Sequence, residues 1–148
     1  MKTKWESHFR QNAMNGERNP CGKVSAFPEK AGGGVYLDTI IAECFPKSRI
    51  VSKGKNSPNK RTNMFLRWMV RKNSPVDLGF WDWYNPRDLL IPLDVHVMTE
   101  SVKLGLISEN AKPDRKTAVA LTEKLKEIWP TDPCKGDYAL FGLGVGEE

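Results

Sequence analysis

The residues with the clearest chemical potential are cationic and clustered. Between Phe45 and Val76 stand Lys47, Arg49, Lys53, Lys55, Lys60, Arg61, Arg67, Arg71 and Lys72, with no acidic residue among them. The whole chain carries a formal net charge of +5 at pH 7, so this block leaves the remainder mildly acidic. One-sided charge on an acidic body suits a surface that holds a polyanion. A solvated basic loop has the same composition, and composition alone does not separate the two.

Metal and thiol chemistry have little support. Cys21, Cys44 and Cys134 are far apart and form no CxxC or CxxH spacing, so the usual ligand patterns of zinc and iron–sulfur sites are missing. The expectation is no metal, no cofactor, and reduced thiols in a cytoplasmic protein. The N-terminal run MKTKWESHFRQN is polar and no apolar run approaches a membrane span. Neither a leader nor an anchor is expected.

The positioning elements follow from spacing and breakers. The length of 148 residues suits one domain with an arm. Residues 1–34 are polar and Gly-rich, with a short helix expected over Lys4–Gln11 and a loop from Asn15. The helical domain then runs over 35–148. Leu37, Ile40, Ile41 and Phe45 share helical spacing, and Pro46 ends that helix. After a basic turn-rich stretch, a helix is predicted from about Lys60 to Lys72. On its wheel Lys60, Asn63, Arg67 and Arg71 fall in a sector of about 80°. Phe65, Leu66, Trp68, Met69 and Val70 cover most of the rest. The stripe either faces water or forms a basic seam on a buried helix.

Trp81 and Trp83 sit in an aromatic connection and offer core packing or a stacking surface for an extruded base. Asn85-Pro86 reads as a cap and first position of a short helix. Asp94 opens a helix with Val95, Met98 and Val102 on its apolar face and Gly105 as its stop. Asp114 caps a helix through Ile128. Asp132-Pro133 starts a last helix toward Gly142. Nothing of useful length alternates with period two, so the chain reads as all-α.

Two segments together carry a resemblance. Ile91-Pro92-Leu93-Asp94-Val95-His96-Val97, followed by Leu104-Gly105-Leu106, resembles a stretch of endonuclease III and adenine-DNA glycosylase. There an apolar-Pro lead-in meets Asp-Thr-His-Val at a helix start. Asn59-Lys60-Arg61-Thr62-Asn63 resembles the helix after the hairpin in the helix-hairpin-helix DNA glycosylase superfamily, where bifunctional members carry a Lys three residues before an Asn. More narrowly, KRTNMFLRWMVR with PLDVH and DYALFGLG resembles a bacterial family of unknown function related to these glycosylases, over roughly Ser48 to Val145.

The resemblance implies a partial helix-hairpin-helix glycosylase-like bundle with a short or irregular N-terminal part. It implies Lys60 as nucleophile, Asp94 as essential carboxylate and His96 as a structural residue at the helix start. It implies DNA contacts from Lys53, Lys55, Asn59, Arg61, Asn63, Arg67 and Arg71, with pairing to Asp77, Asp82 or Asp88 as the alternative for Arg67 and Arg71. The partner would be DNA bearing a lesion or an abasic site, with no membrane. Departures accompany it. Lys53-Gly54-Lys55-Asn56-Ser57-Pro58-Asn59 stands where the hairpin usually reads Leu-Pro-Gly-x-Gly. Residues near 73–88 resemble an insertion. The iron–sulfur cysteines are missing, and fewer helices precede the motif, which fits a truncated member or one that completes its core as a homodimer.

Two functions compete at this point. An amine that attacks the anomeric carbon of deoxyribose forms a Schiff base and permits strand cleavage by β-elimination. A carboxylate beside it stabilises the cationic sugar and shuttles protons. Without that chemistry, the same scaffold is a non-catalytic DNA- or RNA-binding module. For Asp94 taken by itself, an ordinary N-cap is a sufficient explanation.

Overall fold

The computed structural model describes residues 36–52 and 56–146. The expected arm over 1–34, its short helix over Lys4–Gln11, and the basic-block residues Lys53 and Lys55 lie outside these. Among the described residues five α-helices follow one another: α1 (Leu37–Cys44), α2 (Lys60–Val70), α3 (Val95–Lys103), α4 (Arg115–Ile128) and α5 (Cys134–Gly146). A short 3-10 turn at Pro86–Asp88 precedes α3. No strand occurs among the described residues, so the fold is all-α.

Local side-chain chemistry sets the helix starts. Asp94 Oδ1 accepts from the Val97 amide at 2.8 Å, and Asp114 Oδ1 from the Thr117 amide at 2.9 Å. Asn85 Oδ1 accepts from the Arg87 amide at 3.0 Å. Each satisfies a backbone donor that the first helical turn leaves open. Gly105, at φ +68°, ends α3 in the left-handed conformation that glycine adopts without penalty.

The core draws on every helix. Leu37, Ile40 and Ile41 of α1 join Leu66 and Val70 of α2, Val97 of α3, Ala118, Leu121 and Leu125 of α4, and Leu140 of α5. The lead-in Leu89, Leu90, Ile91 and Leu93 is equally buried. Each such side chain contributes about 1.5–3 kcal/mol through burial. This extended lead-in runs through the interior and is anchored there: the Ile91 amide donates to Thr122 Oγ1 at 3.2 Å. It therefore delivers Asp94 to a fixed place.

Two glycines permit close approach. A Cβ on Gly136 would meet the Leu125 side chain at 2.6 Å, and one on Gly79 the Arg71 carbonyl oxygen at 2.9 Å. Around Gly79 the connection folds back on α2. The amides of Leu78 and Gly79 donate to the Trp68 carbonyl at 2.8 and 3.0 Å, and that of Trp81 to the Met69 carbonyl at 2.7 Å. The stretch that resembles an insertion is thus tied to the C-terminal half of α2.

Polar interior contacts fix α1 against α4. Arg115 addresses both oxygens of Asp38, Nη1 to Oδ2 at 2.6 Å and Nη2 to Oδ1 at 3.0 Å, and Nη2 also donates to Thr39 Oγ1 at 2.8 Å. The Asn59 side chain donates from Nδ2 to the same Asp38 carboxylate at 2.8 Å.

Candidate functional site

Lys60 is the first residue of α2 and is held from behind. Asn59 adopts a left-handed conformation, φ 50° and ψ 39°, and gives its side chain to Asp38 rather than to the helix. Asparagine is among the residues that tolerate this region. Asn63 reaches back one turn, donating from Nδ2 to the Pro58 carbonyl at 2.9 Å, while its own amide donates to the Asn59 carbonyl at 3.0 Å. Both asparagines are buried. They shape the turn that presents Lys60, and their burial takes them away from the DNA contact that the resemblance implies.

Asp94 arrives from the other direction, at the end of the buried lead-in. The Lys60 ammonium lies 3.2 Å from Asp94 Oδ2, with side-chain exposures of 45% and 12%. The other oxygen, Oδ1, caps α3. One carboxylate therefore holds a helix start and faces an amine at once. The pair opens onto a pocket of about 440 Å³ whose apolar walls include Met64, Trp68, Pro92 and Phe141. Asp137, Arg67 and Tyr138 also line it.

Behind the pair lies a buried charge network. Arg67 bonds Asp137 through Nη1 and stands 3.7 Å from Asp77 through Nε. Arg71 bonds Asp77 at 2.5 Å and Asp132 at 2.9 Å. Tyr138 donates its hydroxyl to Asp77 at 3.1 Å, and its ring lies 4.3 Å from the Arg67 guanidinium carbon and 5.0 Å from that of Arg71. Burial pushes the Asp137 carboxyl up to about 6, with the Arg67 charge opposing and Asp94 adding to the rise. Burial alone would lower Arg71, but its hydrogen bond to Asp132 and the charges of Asp132 and Asp77 hold it above its ordinary value.

This arrangement corrects the helical-wheel picture of α2. Arg67 and Arg71 do not line a basic seam open to phosphate. They turn inward onto aspartates, which is the pairing alternative, while Phe65 and Trp68 of the expected apolar face are exposed. The partners all follow the helix in sequence: Asp77 six residues after Arg71, Asp132 61 after Arg71 and Asp137 70 after Arg67. Arg61 remains exposed beside Lys60, as do Lys47, Arg49 and Lys72. His96 packs its ring edge-on against Phe141 at 6.1 Å between centroids, beneath Gly144. Trp81 packs on Phe65 and Trp83, at 5.7 and 5.4 Å, and stays only partly buried.

Sequence reasoning named Asp77 as a pairing partner, beside Asp82 and Asp88, and overlooked Asp132, Asp137 and Tyr138. A signal existed for two of them: Asp137 and Tyr138 stand inside the DYALFGLG string that marks the resemblance, Asp137 in the first turn of α5. Among the described residues no group of three His, Cys, Asp or Glu side chains is placed to hold a metal ion. No helix among them is long and apolar enough to cross a membrane.

The family model described as Protein of unknown function (DUF2400) matches residues 36–146. The chain belongs to this family. No curated protein and no solved structure matches it. The DUF2400 match spans Lys60, Asp94, Asp137 and the whole network behind them, so the pocket is built within the family's own domain.

Proposed function

We propose that this chain is a DNA glycosylase with abasic-site lyase activity, using Lys60 as the amine nucleophile and Asp94 as the carboxylate. One observation carries the reading. Two segments far apart in the chain, both singled out by the glycosylase resemblance, bring an amine and a carboxylate to 3.2 Å at the mouth of a pocket. The amine is half exposed, so a substrate can reach it.

The chemistry follows from that geometry. Asp94 accepts a proton from the Lys60 ammonium, leaving a free amine. The amine attacks the aldehyde carbon of an opened abasic sugar, and loss of water gives an imine. Removal of a proton from the adjacent carbon expels the 3′ phosphate by β-elimination, and water hydrolyses the imine to return the amine. When a base is still attached, it leaves as the amine attacks and takes up the proton that Asp94 accepted, which restores the carboxylate against the positive charge that builds on the sugar. Exposed Lys47, Arg49 and Arg61 supply cations for the phosphate backbone. Acting on DNA, the protein would work in the cytoplasm.

The test is strand cleavage of a duplex containing a single abasic site. Wild-type protein should produce the β-elimination product, and Lys60→Ala should not. Duplex binding without cleavage would favour the non-catalytic module instead.

A further inference from the structure

A second cleft is set apart from the first by a third cavity. It has a volume of about 450 Å³ and is lined by Lys72, Asn73, Trp81, Asp82, Asn85 and Lys135, among others. The third cavity, of about 440 Å³, shares Asn73 and Lys135 with it, and shares Val76 and Tyr138 with the Lys60–Asp94 pocket. The three form one path across the face where α2, the 73–86 connection and the start of α5 meet. No carboxylate lines the middle cavity.

Lys72 and Lys135 come from different elements, and both are exposed. Neither has a carboxylate partner among the described residues, whereas Arg71 and Asp132 beside them neutralise each other. Among these residues, two unpaired ammonium groups against one unpaired carboxylate, Asp82, leave the cleft net cationic, which suits a phosphodiester. Trp81 gives the cleft an aromatic wall, and the amides of Asn73 and Asn85 can donate and accept at a base edge. Phosphate, ring and polar edge together describe a nucleotide.

We infer that the nucleic-acid strand seated at Lys60 runs along this path, and that the second cleft holds a neighbouring nucleotide of that strand. Lys72 and Lys135 contact its phosphate and Trp81 faces its base. This rests on the Lys60 pocket taking DNA.

The probe is a duplex with a tetrahydrofuran abasic analogue, with binding followed by fluorescence anisotropy between about 50 and 200 mM salt. For Lys72→Ala/Lys135→Ala the slope of log Kd against log salt should fall by about two, and affinity in mid-range salt by roughly tenfold. The borohydride-trapping rate on abasic DNA at saturation should stay at the wild-type value. Lys124→Ala, on the exposed side of α4, should leave Kd and slope unchanged. An unchanged Kd and slope in the double variant, with wild-type binding intact, overturns the inference and leaves Lys60 chemistry standing. Binding that depends on both lysines with no trapping supports the cleft and removes the lyase. Absence of wild-type binding overturns both.

Discussion

Arg115 and Asp38 form a buried two-point pair that joins α4 to α1 across 77 residues of chain. The same carboxylate accepts from Asn59, the residue before Lys60. The ion pair is therefore part of what places the amine. Asp38→Ala should cost about 3–5 kcal/mol of unfolding free energy, because it removes the carboxylate that the buried guanidinium addresses. Denaturant unfolding measures this, and a change under 1 kcal/mol would mean that the pair bears no strain of the fold.

Asp94 has two tasks, and two substitutions separate them. Asparagine caps helices about as well as aspartate, so Asp94→Asn should leave stability within about 0.5 kcal/mol of wild type. Cleavage should drop by roughly 100-fold or more with the carboxylate gone. Asp94→Ala should add a stability loss of about 1 kcal/mol from the missing cap. Equal activity of Asp94→Asn and wild type would reduce Asp94 to a cap.

Asp137 makes stability depend on pH in a direction opposite to most paired aspartates. Its folded value of about 6 stands above the ordinary 3.8 because it is buried. Between those values the folded state binds more proton than the unfolded state, so this group's contribution falls as pH rises from about 4 to about 6 and is level beyond. Asp137→Asn lacks this titration. Relative to wild type, its stability should improve by roughly 2–4 kcal/mol across the window. Unfolding curves collected from pH 4 to 7 for both proteins decide it: parallel profiles contradict the buried titration.

The arginines divide into internal and external. Arg71→Ala strands Asp77 and Asp132 in the interior and should cost about 3 kcal/mol or more of stability. Arg61→Ala removes an exposed cation and should leave stability within about 0.5 kcal/mol. It should lower the salt slope of DNA binding by about one. Thermal melts and anisotropy titrations on the two variants should thus move in opposite columns. Loss of DNA affinity in a fully stable Arg71→Ala protein would return that arginine to the binding surface.

What could be read in advance was local. Asn85, Asp94 and Asp114 announce their helices because a cap acts within three residues of itself. Lys60 and Asp94 were legible as a pair only through resemblance, since no local rule spans the segments between them. For Arg67 and Arg71 the sequence left pairing and phosphate contact open; Asp77 was a legible partner at six residues from Arg71, whereas Asp137 and Asp132 lie 70 and 61 residues from their arginines. A wheel sorts residues by polarity and cannot know that buried carboxylates await. The last helix also runs past the expected Gly142 to Gly146. Its glycines weaken helix propensity, yet Gly144 packs against His96 of α3, where an added Cβ would lie 3.1 Å from the His96 Cβ. Tertiary contact overrides the local preference there.

The most direct measurement is borohydride trapping on an abasic duplex followed by peptide mass spectrometry. Amine catalysis at Lys60 predicts a covalent protein–DNA adduct whose mass maps to the peptide holding Lys60 and which is lost in Lys60→Ala. An adduct on another lysine, or a protein that binds the duplex and never cross-links, would contradict it.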